Sequence, residues 1–328
     1  MWTPRTSFPL FSFTLVCLLS ATFVTLVTLR ADAQVAQPTP PPDDPSKPVK
    51  IRTDLVTLTL TVTDLYGRYV SALTKEAFTV IDNSKEQEIT FFSDSDAPVS
   101  VGIIFDVSGS MSGDKIKKAR TALERFISVS HPSDEYFLIA FNSRAELLVD
   151  RTRNADAVLQ KLQLVKPASN TALYDAVYLG LERVTRGTHQ KRALMIISDG
   201  QDNASRYNFG EVRRLMKESD VVTYGIGILD RADTGQISIQ GQAFLDELAS
   251  VSGGKSFYPN NAVEMDEIFE RIAIELRNQY SIGYTPTDFQ PDGKWRKVRV
   301  KVKPPRGLRR LTVRSREGYY ASPVIDYR

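Results

Sequence analysis

Of 328 residues, one is cysteine, two are histidine and two are tryptophan. A single thiol, Cys17, cannot close a disulfide within the chain, so folding must rest on buried apolar surface. The three residues before it, Thr14-Leu15-Val16, lack the small residue usual just ahead of a lipidated cysteine. His131 precedes a proline and His189 lies in the basic stretch 186–192, outside any Ser/His/Asp or zinc-binding pattern, so both read as surface residues. Charge of one sign is also lacking. Lys and Arg number 42 against 39 Asp and Glu, a net of +3, so global charge argues for neither nucleic acid nor membrane. A phosphate loop is incomplete. Gly253-Gly254-Lys255-Ser256 has Ala249 where the earlier glycine belongs, and it follows a helical pattern instead of joining strand to helix.

What is present begins with an amino-terminal segment. Arg5, the apolar run 11–29 and Ala31-Asp32-Ala33 have the order of a secretory signal peptide over residues 1–33, with Gln34 first after cleavage. About 19 apolar residues can also span a bilayer, so an uncleaved anchor is the competing reading. The stretch 34–50 is rich in proline and reads as an extended tether. The chain is thus expected to be exported, and to be periplasmic, secreted or attached to the cell envelope.

Two β-rich ends flank an alternating middle. In Leu58-Thr59-Leu60-Thr61-Val62-Thr63 apolar residues alternate with threonine, the pattern of a half-buried strand. Further strands are expected at 78–81 and 89–92, with a polar turn at 82–85. Near the other end, Val298, Val300 and Val302 alternate with Lys297, Arg299, Lys301 and Lys303. Neither end can bury enough surface alone. The expected solution is one discontinuous β-sandwich made of residues 51–97 and 280–328, with an α/β domain at 98–279 inserted between its halves. Within that insert, buried-strand runs at 101–105, 136–141, 192–198 and 221–228 alternate with helical stripes, which implies a doubly wound, mostly parallel sheet with helices on both faces. One stripe is Ile116, Ala119, Leu123, Phe126 and Ile127, and another is Met265, Ile268, Phe269, Ile272 and Leu276.

The chemistry is concentrated where the first of these strands stops. Val101-Gly102-Ile103-Ile104-Phe105 runs into Asp106-Val107-Ser108-Gly109-Ser110. One carboxylate and two hydroxyls at alternate positions, on a surface loop at the carboxyl end of a strand, are hard oxygen donors where α/β sheets place their ligands. Thr171 is expected to open a helix, and Asp199 ends a second buried strand. A phosphatase nucleophile at Asp106 would want an acid two residues on, where Ser108 stands. The loop residues Gln201, Asp202 and Asn203 beside Asp199 read as ordinary loop polarity, with a role in ligand choice or a second ion as the alternative.

At these residues the chain resembles a von Willebrand factor type A domain with its metal-ion-dependent adhesion site, over roughly residues 98–279. The resemblance implies that Asp106, Ser108, Ser110, Thr171 and Asp199 hold Mg²⁺ or Mn²⁺, the hydroxyls directly and the aspartates directly or through water. A partner protein's Asp or Glu carboxylate would complete the coordination. The layout also resembles a family of exported bacterial proteins with related domains, through Gly283-Tyr284-Thr285-Pro286 and the closing Gly318-Tyr319-Tyr320. The expected function is a non-enzymatic binding or adhesion module with a protein partner and no nucleic acid. A metal-assisted hydrolase and a structural part of an envelope or secretion assembly are the alternatives. The row Lys297, Arg299, Lys301 and Lys303 reads as a solvated face that discourages edge pairing, with a weak contact to an anionic surface as the sharper reading.

Overall fold

The computed structural model describes residues 55–321, apart from 168–169, 229–235 and 309. The expected signal segment and the tether lie outside the described residues. The threonine alternation makes β1 (Val56–Thr63), whose Val56, Leu58, Leu60 and Val62 are buried. There follow β2 (Phe78–Asp82), β3 (Lys85–Gln87) and β4 (Ile89–Ser93). The polar turn expected at 82–85 is tighter than that. Only Asn83 and Ser84 turn the chain, both with positive φ (45° and 73°), and Asp82 pairs with Lys85. This is the two-residue hairpin turn whose twist matches its strands, and it leaves Lys85 free to start β3.

The middle of the chain gives β5 (Val99–Asp106), α1 (Asp114–Val129), β6 (Glu135–Phe141), β7 (Ala145–Thr152), α2 (Ala155–Leu164), α3 (Leu173–Val184), β8 (Lys191–Ser198), α4 (Phe209–Glu218), β9 (Val222–Gly227), α5 (Gln236–Ser252), β10 (Lys255–Phe257) and α6 (Ala262–Arg277). The strands form a six-stranded sheet in the order β10-β9-β8-β5-β6-β7, with only β6 and β7 antiparallel. Burial on both faces explains the unbroken apolar runs of β5 and β6, where no residue is exposed. Helices α1, α2 and α6 cover one face, and α3, α4 and α5 the other. The stripes of α1 and α6 are the buried ones, although Ile127 is only half-buried. β7 is an edge strand with one neighbour, and none of its eight residues is buried. No helix among the described residues is long and apolar enough to cross a membrane.

After α6 come β11 (Tyr280–Tyr284), β12 (Trp295–Val302), β13 (Thr312–Arg314) and β14 (Gly318–Tyr320). They join the first strands in two four-stranded antiparallel sheets, ordered β13-β1-β11-β4 and β14-β12-β2-β3. β1, β2 and β4 each pair with a strand that follows α6, and both sheets bury their inner faces in a third core that includes Leu60, Val80, Ile282 and Val298.

Polar contacts tie this sandwich to the α/β body. Glu275 of α6 is buried and accepts from Thr61 of β1 (3.0 Å), Tyr69 (3.0 Å), Tyr224 of β9 (2.8 Å) and Arg314 of β13 (2.6 Å). Lys191 is buried at the start of β8, and burial pushes its pKa down. Its ammonium donates to the carbonyls of Ser95 (2.9 Å) and Gln279 (3.1 Å), one on each side of the body. Arg277 pairs with Asp96 at 2.7 Å across the same junction.

Candidate metal site at the carboxyl edge of the sheet

β5 is the strand at which the chain changes direction, with β6 on one side and β8 on the other. Crevices form at such switch points, outside the carboxyl ends of the strands. Asp106 is the last residue of β5 and lies level with Phe141, the last of β6, while Phe105 lies level with Ile197 of β8. Parallel register therefore brings Asp106, Ser198 and Asp199 off the same edge.

Asp106 and Ser108 are fully buried, which corrects the expectation that they sit on a surface loop; only Ser110 of the three is exposed. The cause is local. Asp106 Oδ1 accepts the Ser108 N–H at 2.8 Å, turning the chain back, and a short 3₁₀ turn then sinks Met111 into the core. Ser108 Oγ lies 3.0 Å from Ser110 Oγ. Asp106 Oδ2 accepts a 2.6 Å bond from Ser198 Oγ, which itself accepts from the Gly200 N–H at 3.0 Å. Ser198 is thus a direct partner of Asp106 that the strand pattern concealed. The hydroxyl in Ile197-Ser198-Asp199 was in view, but its neighbour on β5 is fixed only by register.

Burial raises the Asp106 pKa to about 6; bonds from Ser108 and Ser198 oppose the shift, and the charge of Asp199 adds to it. None of these main influences is a cation. Asp199 is buried, with Oδ1 accepting the Gln201 N–H at 3.3 Å. After it the chain presses against α5. Gly200 has φ of 81°, and a Cβ on Gly241 would meet the Gly200 carbonyl carbon at 2.7 Å and the Asp199 oxygen at 2.9 Å. Backbone packed on backbone fixes where Asp199 stands.

Thr171 is buried but does not open a helix; α3 starts at Leu173, and Ala172 before it supplies no side-chain cap. The first-turn N–H groups are satisfied from another loop instead. Tyr174 N donates to Asp202 Oδ1 (3.3 Å) and Asp175 N to Ser205 Oγ (3.1 Å). In return Asp175 accepts from the backbone of Arg206 (2.9 Å) and Tyr207 (3.0 Å). Thr171 joins through its backbone, its N–H donating to Asn203 Oδ1 (2.9 Å) and its carbonyl accepting from the N–H groups of Asn203 (2.9 Å) and Ala204 (3.1 Å). Asp202 and Asn203 therefore hold the Thr171 and Asp199 loops together. The hydrogen bonds link Asp106, Ser108 and Ser110, Asp199 acts on Asp106 through its charge, and Thr171 is stitched to the loop that follows Asp199.

The expected donors are two carboxylates and three hydroxyls, and among the described residues no group of three His, Cys, Asp or Glu side chains is placed so that it could hold a metal ion. Hard oxygen donors of low total charge fit a small dication and not a soft metal. The histidines lie away from this set, half-buried in loops where His189 Nε2 and the Ser133 carbonyl oxygen are 3.0 Å apart.

The chain is similar to several known proteins. An uncharacterized protein of Synechocystis sp. is 23% identical over 188 residues, 55% of this chain and 42% of its own. Inter-alpha-trypsin inhibitor heavy chain H4 of Homo sapiens is 22% identical over 203 residues, 57% of this chain and 21% of its own. This chain therefore spans less than half the length of either relative. Among solved structures, the vWF domain of the type V pili tip protein Mfa5 from Porphyromonas gingivalis is 14% identical, with a TM-score of 0.45, over 55% of this chain and 96% of that one. The family model of the von Willebrand factor type A domain matches residues 101–201, from within the strand that ends in Asp106 to just past Asp199, and the chain carries a domain of that type there.

Proposed function

We propose that the chain is a non-enzymatic, exported binding module that holds Mg²⁺ or Mn²⁺ with Asp106, Ser108, Ser110, Thr171 and Asp199 and engages an acidic side chain of a partner protein. One observation carries the reading. Asp106 is a buried carboxyl group whose pKa is pushed up to about 6 beside a second buried carboxylate, Asp199. Two like charges in a desolvated crevice call for a positive charge, and the hydroxyls around them can supply ligands without cancelling it. When bound, the dication offers a residual positive charge that favours an anionic ligand from outside. The chain's own residues fix the donors: Ser198 orients Asp106, the Gly200–Gly241 contact sets Asp199, and Asn203 anchors Thr171. The domain type supports a role in protein interaction, and the amino-terminal segment supports export.

Titration calorimetry of the full chain with Mn²⁺ and Mg²⁺ tests the metal step. Wild type is expected to bind and Asp106→Ala to lose at least tenfold in affinity. Equal binding by both would end the reading. Capture of partners from cell-envelope extracts is expected with Mg²⁺ and lost with EDTA.

A further inference from the structure

Lys297, Arg299, Lys301 and Lys303 are all exposed, and the intervening Val298 and Val300 are buried in the sandwich core. Among the described residues none of the four makes an ion pair. Unpaired cations are common singly; four in succession on one strand are not needed for solubility in a chain of net charge +3. β12 stands inside its sheet order, with β14 beside Trp295–Lys297 and β2 beside Val298–Val302; among the described strands none pairs with the other side of Arg299–Val302, so edge protection accounts for only that part of the row.

The row is one-dimensional. Its cross-strand neighbours on the same face are Gly318, Ile81 and Thr79, all uncharged, and the strand beyond Ile81 carries the acid Glu86. A planar anionic bilayer would bring its charge onto Glu86 as well as onto the lysines. A single polymer chain lying along β12 avoids it. Successive cations are about 7 Å apart along the strand, and the row spans about 20 Å. Base stacking, the usual companion of such a row in nucleic-acid grooves, finds no unengaged ring along β12 among the described residues. Trp295 lies over Gly318, where an added Cβ would meet its ring at 2.7 Å, takes Lys217 Nζ at 4.7 Å from its centroid, and meets the Tyr320 ring at 5.0 Å.

We propose that the outer face of β12 binds a linear anionic polysaccharide along Lys297, Arg299, Lys301 and Lys303. The site is independent of the metal edge and goes beyond the function proposed above. The core behind Val298 and Val300 fixes the backbone, so the cations are held in line before the ligand arrives.

The test uses the full chain and a heparin octasaccharide, with affinity measured from 50 to 150 mM NaCl in EDTA and in Mg²⁺. Four charge contacts predict a slope of log affinity on log salt near −3, about a 30-fold loss over that range. EDTA is expected to change nothing. The variant with Lys297, Arg299, Lys301 and Lys303 all changed to Gln is expected to keep the wild-type melting temperature and Mg²⁺ affinity and to lose octasaccharide binding. Undiminished binding by that variant overturns the proposal, as does absence of binding by wild type. Tighter binding to phosphatidylglycerol vesicles or to an oligothymidylate than to the octasaccharide overturns it too.

Discussion

Asp106→Asn is the substitution in which the metal reading makes an unusual demand: removing a central site residue should stabilise the metal-free protein. Asp106 is fully buried, and its pKa stands at about 6 against an ordinary 3.8. Between those values the folded state keeps a proton that the unfolded chain has released. Stability therefore falls as pH rises through that window, and above it the loss is complete, at roughly 3 kcal/mol. Asparagine has the same shape without the charge. Its oxygen still accepts the Ser108 N–H, and its amide can donate to Ser198 Oγ in place of the bond Ser198 now gives. Neutral hydrogen bonds are weaker than charged ones, so a net gain of about 1–3 kcal/mol is expected at pH 8 in EDTA. For a body of this size that is a rise of about 2–10 °C in Tm. At pH 4, where folded Asp106 is already protonated, the gain should vanish. With 10 mM Mg²⁺ the order is expected to reverse, because wild type gains more from binding than the variant. Differential scanning calorimetry at both pH values, with and without Mg²⁺, gives the four numbers. A variant less stable than wild type at pH 8 in EDTA would show that Asp106 is comfortable as a bare carboxylate, and the charge argument for a dication would fall.

Other expectations follow from contacts away from that carboxylate. Gly241→Ala should displace the Asp199 loop, costing about 1–3 kcal/mol by overpacking and lowering Mn²⁺ affinity about tenfold by calorimetry; unchanged affinity would mean Asp199 is not placed by α5. Glu275→Ala leaves Arg314 without its buried partner and should cost about 3–5 kcal/mol in a urea titration; a loss under 1 kcal/mol would mean the cluster holds nothing together. A fragment of residues 98–279 should fold alone, with cooperative melting, whereas residues 34–97 should give the narrow amide dispersion of an unfolded chain, since β1, β2 and β4 find their main partners after α6.

What the sequence displayed is what depends on neighbours along the chain. β5 and β6 are legible because strands covered on both faces need long apolar runs, here 101–105 and 136–141, and α1 and α6 because one stripe meets the sheet. Asp106 is legible as an acid that ends such a run. What stayed hidden depends on register or on loops far apart in sequence. Ser198 reaches Asp106 across 92 residues. Asp202 and Ser205 satisfy the first turn of α3 from about 30 residues away, which is why the start of that helix could not be read from Thr171. The inner alternation of β12 was plain in Val298, Val300 and Val302, but the exposed row gains meaning only from what lies beside it on β2, β3 and β14.

The junction held by Lys191 has a mechanical consequence. Ser93 of β4 pairs with Ser281 of β11, so the chain leaves the sandwich and returns to it at adjacent points. Lys191 and the Arg277–Asp96 pair fasten the two crossings together. A pull applied between Val56 and Tyr320 is then carried from strand to strand within the sandwich, and the α/β body hangs beside the line of tension instead of lying in it. The crevice at Asp106 stays unstretched until β4 and β11 part, and only then does the slack of the body enter the loaded path.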